Sequence, residues 1–206
     1  MKKYLPALLF SVAFLCLLML FLAAIPAFYS FIQDLSAVQE TTGFSRELID
    51  RSNVAIRDYL YGFSDHLLIE NQGKSLFGAQ EVFHMAEVRL LFRRIFLWSI
   101  ALLVLSIMLS RFFNTRLLRD QLGSSFGLLG FLGIASLFFE KAFVLMHGIF
   151  FDNDLWMFPA DSNLIALLPQ KFFFLFTVIL LLLFIGGSLL LYIIERRVYD
   201  SSSRTR

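Results

Sequence analysis

Four apolar runs alternate with polar stretches along the chain, at about 5–28, 95–113, 122–146 and 172–194. Each comes close to the roughly 20 predominantly apolar residues that a helix needs to cross bilayer hydrocarbon. Between the first two runs the pattern changes. From 44 to 60, Leu48, Ile49, Ala55, Ile56, Tyr59 and Leu60 recur at helical spacing, which predicts an amphipathic helix. Gly62 and the turn "ENQGKS" at 70–75 punctuate the stretch. A further helix is expected to begin near Gly78 and to run through "AQEVFHMAEVRLLF" directly into the second apolar run. The pattern predicts an all-α integral membrane protein, a single membrane domain over 1–206 with four transmembrane helices. Segments 29–92 and 147–171 then share one side of the membrane.

Composition strengthens that reading. Of the 206 residues 58% are hydrophobic and 26 are Phe, with a mean hydropathy of +0.74; soluble domains hold about 45–50% apolar residues. The first run follows Lys2 and Lys3, as a signal peptide would. It exceeds the roughly 7–15 apolar residues of a signal, and Ala23-Ala24 is followed by Ile25 and Pro26, so a retained helix is expected. The one cysteine, Cys16, can make neither an internal disulfide nor a Cys-rich metal site, and no lipobox precedes it.

A net charge of only +2 makes the placement of charge more informative than its sum. Lys2, Lys3, Arg111, Arg116, Arg119, Arg196, Arg197, Arg204 and Arg206 all fall on one side of a four-helix topology. Basic residues in short flanks mark the cytoplasmic side, so both termini are expected inside and 29–92 and 147–171 outside. Arg46, Arg51, Arg57 and Arg89 lie in an outer segment over 60 residues long, which escapes that rule. Arg93 and Arg94 fall near the outer interface, within reach of lipid phosphates.

The three histidines, His66, His84 and His147, all fall on this predicted outer side. His84 closes "EVFH" and His147 ends the third run, so two rings from different helices reach one depth. Neutral imidazole accepts a proton near pH 7, which suits a general base. A lone interfacial histidine also serves as a headgroup anchor, and His66 stands in a loop with no cluster around it, so it is read as incidental. Glu87, three residues after His84, shares its helix face and is placed to orient the ring, or else makes a solvated pair. Glu140, two turns before His147, is expected to face the bundle interior because a carboxylate among lipid tails is costly. Asp152, Asn153 and Asp154 form either a turn or, with the two histidines, a divalent-metal set, although no strong zinc spacing is present. Trp156, with Phe150, Phe151 and Phe158, fits an interfacial aromatic belt. No G-x-S-x-G elbow or phosphate loop occurs, which argues against a serine hydrolase.

Two blocks in order, "EVFHMAEVRLLF" at 81–92 and "HGIFFDNDLW" at 147–156, the second followed by "PADSNLIALLPQKFF" at 159–173, resemble those of the bacterial lipoprotein intramolecular transacylases. The resemblance covers nearly the whole chain. It implies an acyltransferase in a Gram-positive cell membrane, working at the outer leaflet on diacylglyceryl-modified lipoproteins. It moves the sn-2 acyl chain to the α-amine of the N-terminal cysteine and yields lyso-form lipoprotein. It implies His84 and His147 as the essential histidines, with Glu87 and Arg89 standing where the family pattern has Asp and Lys. The expected partners are that substrate and membrane lipids, without nucleic acid, metal or cofactor. Two alternatives stay open: a metal-dependent membrane lipid or peptide hydrolase using His84, His147, Asp152 and Asp154, and a non-enzymatic lipid-binding membrane protein.

Overall fold

The computed structural model describes residues 4–204, with side chains through Val198. Lys2, Lys3, Arg206 and the side chain of Arg204, which carry part of the orientation argument, lie outside the described residues. The regular structure of the described chain is helical apart from one short hairpin. Its order is α1 (Tyr4–Ala23), α2 (Pro26–Leu35), α3 (Val38–Thr42), α4 (Arg46–Tyr61), β1 (Glu70–Asn71), β2 (Lys74–Ser75), α5 (Ala79–Phe113), α6 (Leu117–Leu137), α7 (Phe139–Phe150), α8 (Asn163–Leu167) and α9 (Gln170–Arg204). Among the described residues three helices are long and apolar enough to cross a membrane, or four spans if α6 and α7 count together as one.

Two of the expected spans are corrected. The first does not run to Phe28 but ends at Ala23, and a new helix starts at Pro26. Proline has no N–H to continue a helix and pushes the residue before it out of helical geometry; Ile25 is extended, at φ −107° and ψ 100°. The third run is broken at Phe138, where α6 and α7 are bent by 107°. Gly123, Gly127, Gly130 and Gly133 weaken α6. Near its end the Ser136 hydroxyl donates back to Leu132 O at 2.8 Å, a bond that bends helices. The fourth helix begins just after Pro169 and is longer than expected, whereas α5 is continuous through the second run as expected.

The chain forms two compact units. The first, residues 1–19, 95–137 and 178–206, is the apolar unit. Its interior holds a knot of small polar groups from α1, α6 and α9: Ser11, Gln121, Ser125 and Ser188, all fully buried. Gln121 Nε2 donates to Ser125 Oγ at 2.8 Å and to Ser188 Oγ at 2.7 Å, and Ser11 Oγ donates to Gln121 O at 3.2 Å. A Cβ at Gly187 would lie 2.7 Å from Phe14 Cζ, so glycine is what lets that ring lie across α9.

The second unit, residues 20–94 and 138–177, contains all three histidines. Helix α4 is the amphipathic helix expected at 44–60. Ser45 caps its start by accepting from Leu48 N at 3.2 Å, and Gly62 ends it at φ +77°. Its buried face carries Leu48, Ile49, Ile56, Tyr59 and Leu60 together with Ser52 and Asn53. Asn53 and Gln33 of α2 exchange amide hydrogen bonds of 2.6 and 3.1 Å, and Gln33 Nε2 also donates to Leu167 O of α8 at 2.9 Å. Asn53 Nδ2 donates to Ser30 Oγ at 3.1 Å as well. Between β1 and β2, Gln72 and Gly73 both take positive φ (52° and 77°), the signature of a type I′ hairpin turn.

Candidate active site

His84 stands in the second turn of α5 and His147 in the last turn of α7. Both are buried, at 6% and 8% exposure. Their rings lie 6.0 Å apart, centroid to centroid, at 29° to one another. Phe143, one turn before His147, explains the local order. Its carbonyl accepts from His147 Nδ1–H at 2.8 Å. A carbonyl can only accept, so Nδ1 carries the proton and Nε2 keeps its lone pair.

Aromatic side chains wrap the pair. Trp156 stacks on His147 at 4.6 Å, Phe158 meets His84 edge-on at 5.4 Å, and Phe151 touches both, at 4.9 and 5.6 Å. They all come from the stretch between α7 and α8. Burial first, and then the neighbouring His147, push His84, which lies ahead of the apolar stretch 95–113, down to a pKa of about 4. The ring is therefore neutral at neutral pH.

The stretch is fastened to α5 at three residues. Gln80 Nε2 donates to Leu155 O at 2.9 Å and to Met157 O at 3.3 Å. Asn153 Nδ2 donates to Glu87 Oε1 at 2.7 Å. Glu81 is the third and is itself buried; its carboxylate accepts from Ser162 Oγ, from Leu164 N at 2.8 Å and from Gly78 N at 2.6 Å. It thus caps α5 and grips the start of α8 at once. Glu81 and Gln80 were missed in the sequence reading. Glu81 lies three positions past Gly78, the spacing of a capping residue, but its long-range partners leave no mark in the sequence.

The expected residues divide into two groups. His84, His147, Glu87, Asn153 and Trp156 come together. Glu87 Oε2 lies 4.0 Å from His84 Nδ1, and both atoms are buried without a hydrogen-bond partner. Glu140, expected to face an interior, is instead exposed in the first turn of α7. The bend at Phe138 removes the straight helix on which that expectation rested. Asp152 and Asp154 are exposed, and His66 is exposed in its loop. Among the described residues no three of His, Cys, Asp and Glu gather as a metal set.

The family model "Lipoprotein intramolecular transacylase Lit" matches residues 4–173. The fold is that of solved structures of the membrane integral lipoprotein intramolecular transacylase Lit from Bacillus cereus. One such structure superposes with a TM-score of 0.80 at 20% identity, covering 98% of this chain and 96% of the other. A structure of a histidine-to-arginine variant of that protein gives 0.78 at 20% identity, covering 100% and 93%. Among curated protein sequences no significant match is found. Apolar spans, the two histidine blocks and a family match over most of the length lead to one conclusion: this chain belongs to the lipoprotein intramolecular transacylases, and is a membrane-integral acyltransferase.

Proposed function

We propose that the chain moves the sn-2 acyl group of a diacylglyceryl-modified lipoprotein onto the α-amine of the lipoprotein's own N-terminal cysteine. His84 and His147 handle the protons. The amine nitrogen attacks the ester carbonyl carbon, a C–N bond forms, the ester C–O bond breaks, and the glyceryl oxygen leaves with the electron pair. One proton passes from nitrogen to that oxygen, so no co-reactant is consumed. A free α-amine has a pKa of about 8, so a fraction of it is already neutral at neutral pH, and the imidazoles, neutral there as well, take up the proton that the nitrogen sheds once it has attacked the carbonyl carbon. Donor and acceptor sit on one molecule, and such intramolecular proximity reaches effective concentrations on the order of 10⁵ M or more when orientation is right.

The observation that carries this reading is the pair of buried rings 6.0 Å apart, one of them fixed with Nε2 as an open acceptor. One imidazole takes the amine proton and becomes the acid that returns it to the glyceryl oxygen. Glu87 stands on the Nδ1 side of His84, where a carboxylate favours the Nδ1–H tautomer. The aromatic cover excludes water, which would otherwise compete as a nucleophile. The distribution of Arg111, Arg116, Arg119 and Arg197 supports a reading with the histidines on the outer side of the plasma membrane, where such lipoproteins are displayed.

Expression in a host that makes diacyl lipoproteins, followed by mass spectrometry of lipoprotein N-terminal peptides, reads the reaction directly. N-acyl, S-monoacylglyceryl peptides are the expected product. Their absence while the protein is present in the membrane would overturn the reading.

A further inference from the structure

The loop over the two rings and the carboxylate beside His84 are joined through a single side chain. Asn153 donates from Nδ2 to Glu87 Oε1 at 2.7 Å, and its Oδ1 accepts from Leu155 N at 2.9 Å. The second bond is an Asx-type turn that fixes the path of the loop one residue before Trp156, which stacks on His147. The remaining Glu87 oxygen, Oε2, is buried with no partner, and across 4.0 Å it faces His84 Nδ1, also buried with no partner. A buried acceptor and a buried ring nitrogen left just out of reach form an unfinished hydrogen bond. A shift of about 1 Å would complete it. The group that holds the carboxylate on its other oxygen is Asn153.

We propose that Asn153 is a positioning residue that couples the covering loop to His84. It hydrogen-bonds to Glu87 and Leu155 N and to neither ring. By tying the loop to Glu87 it sets where Trp156 and Phe158 lie and how far the carboxylate stands from Nδ1. When a lipid head displaces the loop, Asn153 is drawn off Glu87. The freed carboxylate closes on His84 Nδ1–H, and Nε2 becomes a stronger acceptor once substrate is in place. The groups facing His84 are few: Glu87 from its own helix, His147 from α7, and Phe151 and Phe158 from the loop. Glu81 on the same helix is engaged by Ser162, Leu164 and Gly78. The inference rests on the acyl-transfer reading for its consequence in turnover, but not for the coupling itself.

The test uses full-length protein labelled with ¹⁵N-histidine. The Nδ1 and Nε2 resonances of His84 are read in wild type, Asn153→Ala, Asn153→Asp and Glu87→Gln, alongside kcat and KM on a diacyl lipoprotein. Both Asn153 variants lose the donor to Glu87, while Asn153→Asp keeps the acceptor for Leu155 N. We expect the His84 resonances to move toward a single Nδ1–H tautomer in both Asn153 variants, and away from it in Glu87→Gln. KM should rise about tenfold in Asn153→Ala with kcat changed less than about threefold, whereas Glu87→Gln should lower kcat at nearly constant KM. His84 resonances in the Asn153 variants identical to wild type would overturn the coupling, as would losses of activity that merely follow Tm. Should Asn153→Ala fail to fold, Asn153→Asp decides. If wild type makes no lyso-form product, the acyl-transfer reading fails, and the resonances still decide whether Asn153 governs His84.

Discussion

The two units of this chain solve opposite problems with the same side chains. In the apolar unit Gln121 is fully buried, its amide nitrogen shared by two serines and its Oε1 left without a partner. In the histidine unit Gln33 and Asn53 are buried to the same degree, yet their amides exchange hydrogen bonds and reach Leu167 O and Ser30 Oγ as well. Both units expose large apolar side chains, Phe63 and Leu68 of the histidine unit at 73% and 75% among them, but among the described residues most of the ion pairs belong to the histidine unit. Trp98, Met108, Phe112, Phe131 and Leu137 of the apolar unit are exposed at 64–79%, a surface that only lipid would cover favourably. The histidine unit has ion pairs on its surface, Arg46 with Asp34 and Asp50 among them. Hydrophobic association contributes little between helices already in hydrocarbon, so a few polar contacts and close packing suffice there. A unit that must hold two rings in register needs its polar groups paired, because a loose network would leave the site loose.

That contrast can be broken most severely at the histidines. His84→Ala and His147→Ala should each lower lyso-form production by about 10²–10⁴-fold, the usual worth of a general acid or base. Each truncation leaves a cavity and should lower Tm by several degrees, far too little to explain such a loss, and His66→Ala should behave as wild type; mass spectrometry and thermal melting check both. Next comes Asn53→Leu, which strands Gln33 in a buried site and should cost about 2–4 kcal/mol in unfolding experiments. The matching change in the apolar unit, Gln121→Leu, should cost less than about 1 kcal/mol, since interhelical hydrogen bonds in membranes average about 0.6. Equal losses at Asn53 and Gln121 would erase the distinction. The smallest effect is one of pH. The unfolded chain binds a proton at His84 near 6.5, whereas the folded ring does not until about 4. Stability is therefore fully present above 6.5 and drains as pH falls toward 4. Lowering the pH from 7 to 6 should reduce Tm by about 2 °C, and His84→Gln should flatten that dependence.

The parts of the fold legible in the sequence are those written by periodicity. The apolar runs, the stripe of α4, the turn at 70–75 and the start of α5 near Gly78 follow from local spacing and turn chemistry. The pairing of His84 with His147 was legible too, because the charge pattern puts both on one predicted side, His84 ahead of the run 95–113 and His147 at the end of the run 122–146. The break at Phe138 was not, since no proline marks it and Leu137, Phe138 and Phe139 run across it without a polar residue. The short helices α2, α3 and α8 were missed for a related reason: at 10, 5 and 5 residues they are held by tertiary bonds more than by their own pattern. Glu140 was misplaced because its expected facing assumed a straight helix through that break. Glu81 looks like an ordinary first-turn acid, and its three partners become visible only when residues 78, 162 and 164 are brought around it.

Helix α5 has no interruption over its 35 residues. Along that one helix eleven residues separate His84 from Ile95, about 16 Å at a rise of about 1.5 Å per residue. Thicker hydrocarbon draws such a rod inward and thinner hydrocarbon lifts it, at a modest energy per ångström. The proposed acyl transfer would then respond to lipid chain length through His84, and turnover compared across vesicles of graded acyl length should show an optimum. Membrane composition would in that case tune the rate with no regulatory ligand at all.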